Sequence, residues 1–403
     1  MERILDLITD SEAYYPIYSR IAENLEVSDI LAFSGTCKRF SQYYRDLTAT
    51  QWNINTTLQP FFSNPTEFRS LQGETGTLIS RTVSLRFFHR STIPGWHNLA
   101  LYVQTGETCT AMVNYIEQQG YTKVEDKSHS NKYIYVRPSD RYRKRTEVSL
   151  HFSDEVPLVK ILRRTYHTAR ANVISWNKAY CLFPISTVLK REYYPMTSLN
   201  TSAHTNFTRS FQQIATLGFK ARSVLWDYSH AMTNEMAALQ GERSLADRHS
   251  WVINLDTTGI KHPGVPDHLL DQASFSLTCT KRNSAINYIS LTCTGLKSPV
   301  LQYTYVHHND CPRGIDLFCN RRLQELELMA LSTLEVANRP AEYNAIMQGT
   351  TKLSEVMGKF TIPSWWQYYD DEVEPLFRET VYVPPEESEL SMADGRTHAS
   401  LRG

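Results

Sequence analysis

Four residues of metal-ligating type stand close together near position 310, namely His307, His308, Cys311 and Cys319. Structural zinc sites take four nitrogen or sulfur ligands in tetrahedral geometry, usually supplied as two closely spaced pairs. Here the cysteines are separated by seven residues, and adjacent histidines on a strand point to opposite faces. The spacing therefore favours a strand end with two solvated histidines and two half-buried thiols, and we expect neither a metal site nor a cofactor.

Three further residues, Asp247, His249 and Asp256, have side chains suited to general acid–base catalysis. Such catalysis needs a pocket and a nucleophile within hydrogen-bonding reach, and the sequence indicates neither. The simpler interpretation is that Asp256 caps the Thr-Thr-Gly turn that follows it. The chain contains no P-loop, no G-x-G-x-x-G and no G-x-S-x-G, so we assign no catalytic residue.

The run RYRKR at 141–145 is the strongest local cluster of positive charge. Basic residues around an aromatic ring can hold a nucleic-acid backbone, and the same composition can serve as a nuclear import signal. An exposed hairpin loop is the simpler interpretation. Over the whole chain 42 Lys and Arg balance 42 Asp and Glu, which argues against a dedicated nucleic-acid or membrane-binding protein.

The N-terminus and the cysteines predict the compartment. The chain starts with acidic residues where a secretory signal would be basic and then apolar, and no apolar run is long enough to span a membrane. The 7 cysteines are scattered and include no C-x-x-C. We therefore expect reduced thiols and a cytoplasmic or nuclear location, with no membrane partner.

The clearest structural elements lie in residues 16–52, where three short helical patterns follow one another. Pro16 can occupy the first helical position without losing a hydrogen bond. Ile17, Ile21 and Leu25 follow at a spacing of four, which places them on one face. So small a unit has little core of its own, and an apolar helical face without catalytic residues is typical of a docking surface.

This run resembles the F-box, through Pro16 and Ile17, the Val27-x-Asp29-x-Leu31 helix start, the Cys37-Lys38 pair, Phe40 and Trp52. It departs from the pattern where Tyr15 replaces the usual Leu before the proline. The resemblance implies docking on the Skp-type adaptor of a cullin–RING ubiquitin ligase. The contact residues would be Pro16, Ile17, Ile21, Leu25 and Leu31. The alternative is a helical subdomain that packs on the rest of the protein.

Beyond this unit, helical and strand patterns alternate, which predicts an α+β fold. We expect a helical run over 77–90, a strand over 99–104, and an antiparallel meander from strands near 273–279, 286–293 and 300–306. A helix is expected over 323–338. The predicted organisation is a helical module at 12–54, an α/β body at 72–322, a C-terminal helical segment at 323–383 and a disordered tail at 384–403.

The first half of the body resembles the nucleotidyltransferase fold. In active members a Gly-Ser pair begins a helix, and two acids one residue apart on the next strand hold the metal ions that neutralise a triphosphate. In this chain Arg81 and Thr82 stand where Gly-Ser would be, and Asn98 and Ala100 stand where the acids would be. The resemblance therefore implies a degenerate copy without nucleotidyl transfer.

Several later runs resemble an uncharacterised fungal family that pairs an F-box-like start with a nucleotidyltransferase-like body. The combined hypothesis is an adaptor that docks a Skp-type subunit and presents an unknown client protein through a catalytically inactive body. One alternative is a nucleotide-binding or nucleotidyltransferase-like enzyme. Another is a structural protein whose N-terminal helices never meet a ligase.

Overall fold

The computed structural model of the 403-residue chain describes most of the sequence. The described residues are 13–34, 50–90, 98–124, 131–139, 144–196, 205–222, 239–282, 285–308, 313–333, 342–348, 350–351 and 365–380, with the single residues 10, 36, 47 and 335. The predicted disordered tail, the basic residues 141–143 and Cys311 lie outside them.

The described chain is a mixture of helices and strands, as the α+β prediction requires. The helices are α1 (Tyr15–Asn24), α2 (Val27–Ser34), α3 (Ile54–Leu58), α4 (Pro65–Thr75), α5 (Thr82–His89), α6 (Glu107–Gln118), α7 (Pro157–Arg163), α8 (Thr205–Thr216), α9 (His268–Asp271), α10 (Arg313–Thr333), α11 (Tyr343–Met347) and α12 (Asp370–Thr380). A 3-10 turn covers Thr168–Arg170 and a π-helical turn covers Ile185–Leu189.

The strands are β1 (Leu78–Ser80), β2 (Asn98–Gln104), β3 (Thr122–Val124), β4 (Lys132–Arg137), β5 (Thr146–Ser153), β6 (Asn172–Ile174), β7 (Lys178–Cys181), β8 (Glu192–Tyr193), β9 (Lys220–Ala221), β10 (Gly241–Ser244), β11 (Trp251–Asn254), β12 (Ser274–Arg282), β13 (Ala285–Thr292), β14 (Thr294–Leu296) and β15 (Tyr305–His307). Eight of them form one sheet in the order β11-β7-β6-β1-β2-β5-β4-β3. Within this sheet β2 and β5 are parallel, whereas the other neighbouring pairs are antiparallel.

Side chains alternate between the two faces along each strand, and at β2 both faces of the eight-stranded sheet are buried, whereas the edge strand β3 is exposed. On β2, Leu99, Leu101 and Val103 join a core with α4, α5 and α6. Ala100 and Tyr102 join a second core with α7 and with β12 and β13. The sheet is therefore the central layer of the body, which places the polar ends of β1, β2 and β5 at the edge of two packed layers.

The first two helices pack on this body and share its core. Tyr18 and Ala22 of α1 and Ile30 of α2 are buried in the same cluster as the sheet residues. The Arg90 guanidinium donates hydrogen bonds to the carbonyl oxygens of Ala22 and Leu25, which ties the end of α1 to the body. One continuous core thus holds the N-terminal helices in a fixed position against the sheet.

Some elements differ from the sequence predictions. Residues 77–90 are a three-residue strand followed by α5 and not one helical run, because backbone pairing of β1 with β2 and β6 overrides the local pattern. The third strand beside β12 and β13 is β10, whereas β15 pairs with β14. Helix α10 begins at Arg313 and so continues across residue 322, where the sequence indicated a domain boundary.

Candidate functional site

The turn between β1 and α5 has an unusual backbone conformation. Strand β1 ends at Ser80, and α5 begins at Thr82. Arg81 between them has φ 68° and ψ −129°, a combination that glycine adopts with little strain and that costs other residues free energy. The Arg81 Nε donates a hydrogen bond to the Tyr102 hydroxyl at 2.6 Å. A long polar side chain therefore occupies a turn whose backbone favours glycine.

The register of β2 against β5 fixes what faces the acid positions of the nucleotidyltransferase pattern. Asn98 is opposite Glu147, and Ala100 is opposite Ser149. The Asn98 side-chain amide donates to the Glu147 carboxylate. Ala100 is buried in the second core. The pair of strands therefore offers one carboxylate, contributed by Glu147, at this place.

A catalytic magnesium pair needs several oxygen ligands with negative charge. Ala100 has no ligating atom, and the Asn98 amide carries no charge. Across the part of the chain that the structure describes, no three His, Cys, Asp or Glu side chains are grouped closely enough to hold a metal ion. Glu147 was not singled out by the sequence because only the strand pairing brings it beside Asn98.

A pocket lies next to the Arg81 turn, on the Tyr102 side of β2. Its enclosed cavity volume is small, about 10 Å³, and it is open to solvent; the residues that line it include Arg81, Arg164 and Arg170. Arg164 follows the C-terminal end of α7, and Arg170 ends the 3-10 turn. Three separate segments thus bring positive charge to one concave surface. We call it the arginine pocket.

A buried histidine lies behind the arginine pocket. The His151 ring stacks on the Tyr102 ring, with centroids 4.6 Å apart and planes 11° from parallel. The ring is 5% exposed, and its Nε2 has no hydrogen-bond partner. Burial, together with the positive charges of Arg81, Lys132, Lys160 and Arg164, lowers its pKa well below 6.5. His151 is therefore neutral, mainly because it is buried.

The N-terminal helices present a different kind of surface. Tyr14, Tyr15, Ile17 and Phe33 are exposed by 39%, 61%, 45% and 37%. We call these four side chains the N-terminal apolar surface. Tyr18 is 1% exposed, so α1 turns one face to the core and leaves its neighbouring face to solvent.

The residues expected to contact an adaptor divide between these two faces. Pro16 and Ile17 are exposed, and Ile21 is half-buried. Leu25 and Leu31 are also half-buried, and they pack against the first core. Helix periodicity placed Ile17, Ile21 and Leu25 together, but it could not tell which neighbouring side chains the body would cover.

The expectation for the metal-ligating cluster near residue 310 was partly wrong. His307 and His308 are 5% and 3% exposed and so are not solvated, and Cys319 is also buried. The burial of His308 is offset by polar neighbours, with Nε2 3.1 Å from the Glu242 carboxylate and Nδ1 3.3 Å from the Ser274 hydroxyl. These contacts show that His308 has a structural role in the packing between β10, β12 and the end of β15.

The two acids considered for acid–base chemistry have structural partners. Asp247 accepts hydrogen bonds from Arg243 at 2.7 and 2.9 Å in a buried ion pair. Asp256 accepts from the backbone N–H of Thr258 at 2.9 Å, which confirms that it caps the turn. Arg243 was not anticipated, because an arginine in an alternating strand pattern normally faces solvent.

The sequence also did not single out Arg164, Arg170 and Tyr102. Each comes from a separate element, and their only local signal is the concentration of basic residues in 160–170. No protein-family model and no curated protein matches the chain. None of the described helices combines the length and the apolar character needed to cross a bilayer.

Proposed function

We propose that the chain is a binding adaptor of the F-box type, which docks a Skp-type subunit of a cullin–RING ubiquitin ligase through its N-terminal apolar surface. The body would present a client protein for ubiquitin transfer. Pro16 and Ile21 join Ile17 of that surface in the contact, and Leu25 and Leu31, which pack against the core, support them.

The observation that carries the proposal is the exposure of Ile17. A β-branched apolar side chain is 45% exposed beside Tyr14 and Tyr15, while Tyr18 on the same helix supplies the contact with the core. If α1 served only to pack on the body, its apolar side chains would be concentrated on the inner face. Clustered aromatic and aliphatic side chains at the surface are typical of protein interfaces.

The attachment of α1 and α2 to the body supports the adaptor role. Ala22, Ile30 and Trp52 belong to the core of the sheet, and Trp52 packs edge to face against Trp251 at 5.3 Å. A ligase subunit docked on α1 would then be held at a fixed orientation to the body. Such rigidity favours a carrier that must place a client at a defined distance from a transferring enzyme.

The environment of Asn98 and Ala100 favours this proposal over a nucleotidyltransferase-like enzyme. Metal-dependent phosphoryl transfer depends on charge neutralisation at the metal site, and these two positions supply no negative charge. The neighbouring Glu147 carboxylate accepts a hydrogen bond from Asn98. An adaptor role requires no such site.

The test is the affinity of the full chain for a purified Skp-type adaptor, measured by calorimetry. We expect the wild-type chain to bind and Ile17→Asp to bind at least about tenfold more weakly, because a charge would be buried in the interface. Ile17 is preferred to Leu25 for this test because Leu25 packs against the core.

Val265→Asp is the matched control, since Val265 is an exposed apolar residue of the body at 39% exposure. It makes the same chemical change and should bind like the wild type. A folded wild-type chain that does not bind the adaptor would refute the proposal. Equal losses in the two variants would also refute it, because the contact would then not involve α1.

A further inference from the structure

The arginine pocket has more positive charge than its surroundings compensate. Arg81 and Arg170 hydrogen-bond to neutral groups, the Tyr102 hydroxyl and the Gln213 side-chain carbonyl. Among the described residues, no ion pair joins Arg81, Arg164 or Arg170 to a carboxylate. Like charges brought together without counter-charges raise the free energy of the fold, and an anion bound between them would lower it.

The electrostatic state of Arg170 agrees with this geometry. Burial and the nearby charge of Arg81 lower its pKa to about 10. At neutral pH the group remains charged, so the repulsion between the two guanidinium groups persists. The low pKa of His151 behind the pocket has the same origin in part, since Arg81 and Arg164 both contribute to it.

The donors in the pocket suit a tetrahedral oxyanion. Each guanidinium has five N–H donors in a planar fork, and the hydrogen bonds to Tyr102 and Gln213 each use one of these groups at Arg81 and Arg170. The three guanidinium groups therefore retain N–H donors for the oxygens of an anion.

We propose that the arginine pocket binds a phosphate group directly, without a metal ion. The ligand is inorganic phosphate or the terminal phosphate of a small molecule, held by Arg81, Arg164 and Arg170 through charge-assisted hydrogen bonds. A magnesium-chelated phosphate suits this pocket less well, because the cation would add to three positive charges and would find no carboxylate ligand there. The site is independent of the N-terminal apolar surface.

The experiment is calorimetric titration of the full chain with inorganic phosphate and, separately, with ATP, each at constant ionic strength. Each ligand is measured once with EDTA and once with excess Mg²⁺, and chloride serves as the reference anion. We expect saturable one-site binding in EDTA and weaker binding with Mg²⁺. Equal affinities for phosphate and ATP would assign the site to phosphate alone, whereas tighter ATP binding in EDTA would assign it to a nucleotide's terminal phosphate.

Arg164→Gln tests the pocket itself, because Arg164 is exposed and its replacement should leave the fold intact. Loss of one guanidinium should weaken phosphate binding roughly tenfold, and Arg164→Lys should recover part of the loss by restoring the charge without the fork. Arg321→Gln is the matched control, since the Arg321 side chain is 81% exposed on α10 and makes the same charge change. It should bind phosphate like the wild type.

Three results would overturn the inference. These are no saturable phosphate binding by the folded wild-type chain, an absolute requirement for Mg²⁺, or equal losses in Arg164→Gln and Arg321→Gln. Arg164→Gln should also bind the Skp-type adaptor like the wild type. Failure of the phosphate site and failure of the adaptor interface are therefore distinguishable.

Discussion

The N-terminal apolar surface and the arginine pocket differ in what folding leaves unsatisfied. On α1 the buried side chains meet the body's core, and the remaining apolar area at Ile17 stays in water. In the pocket, Arg81 and Arg170 hydrogen-bond to neutral partners, and their positive charge is left without a counter-charge. The first favours a polypeptide partner, because burying apolar area drives protein association. The second favours a small anion, because charge is best compensated in a concave site.

The two regions also differ in how they are built. The N-terminal apolar surface comes from residues close together in the sequence, and Ile17 is the one of its four side chains that the sequence pattern singled out. The arginine pocket joins β1, β2 and the segment around α7, which are distant in the sequence. Local and long-range construction should respond differently to substitution, and three measurements test that difference.

The largest expected effect is the difference in the free energy of unfolding between substitutions at two adjacent residues of α1. Tyr18→Ala removes a side chain that is 1% exposed and should lower the free energy of unfolding by about 3–5 kcal/mol. Ile17→Ala, one residue away, should change it by less than about 0.5 kcal/mol. Urea unfolding followed by circular dichroism measures both. Similar losses in the two variants would mean that Ile17 also packs on the body, and the docking proposal would lose its basis.

The second measurement is the pH dependence of the free energy of unfolding. Histidine titration should affect this quantity only through residues of the body. The pKa of His89 is lowered to about 4, and those of His151 and His167 well below 6.5, mainly by burial. The folded state keeps these rings neutral, whereas the unfolded chain takes up protons near pH 6.5. Stability should therefore be retained above about pH 6.5 and lost as pH falls towards the folded pKa values, by about 1.4 kcal/mol per pH unit for each histidine.

His151→Phe keeps an aromatic ring beside Tyr102 and removes the titration. We would measure its unfolding free energy in urea at pH 6.5 and at pH 5. The decrease between these two pH values should be smaller than in the wild type, because one histidine fewer takes up a proton on unfolding. Residues 1–88 contain no histidine, so the N-terminal helices contribute nothing to this slope. An unchanged slope in His151→Phe would contradict the assignment of a neutral buried ring behind the arginine pocket.

The smallest effect concerns the Arg81 turn. Because its φ of 68° favours glycine, Arg81→Gly should be more stable than Arg81→Ala by about 1 kcal/mol. The matched pair Arg86→Gly and Arg86→Ala, in the middle of α5, should show the opposite order by a similar amount, since glycine destabilises helices. Thermal unfolding of the four variants decides. The same order at both positions would mean that the turn does not impose the observed backbone conformation.

Comparison of the predicted and observed elements shows where local patterns were sufficient. The strand expected over 99–104 was predicted close to its observed bounds, Asn98–Gln104, because it is long enough to show its alternation. Strand β1 was missed since three residues cannot show alternation. The predicted third strand of the meander was misplaced because its hydrogen-bonding partner is chosen by distant contacts.

The candidate sites show the same division. The sequence contains the apolar residues of the N-terminal surface in consecutive turns, but the division between Tyr18 inside and Ile17 outside required the body. The sequence showed directly that positions 98 and 100 hold Asn98 and Ala100 in place of acids. It did not show that Glu147 lies beside Asn98. A carboxylate on a neighbouring strand becomes a neighbour only through register.

The sequence by itself determined the residue types: helices with apolar stripes, a mixture of helices and strands, and positions that carry no metal-binding charge. These depend on side-chain chemistry and on periodicities of a few residues, which the chain carries locally. Only the tertiary structure decided which face of α1 meets water, which carboxylate faces Asn98, and that Arg81, Arg164 and Arg170 share one pocket. Such neighbours are set by strand pairing and core packing between distant segments, and the free energy of these contacts is not encoded in any single stretch of sequence.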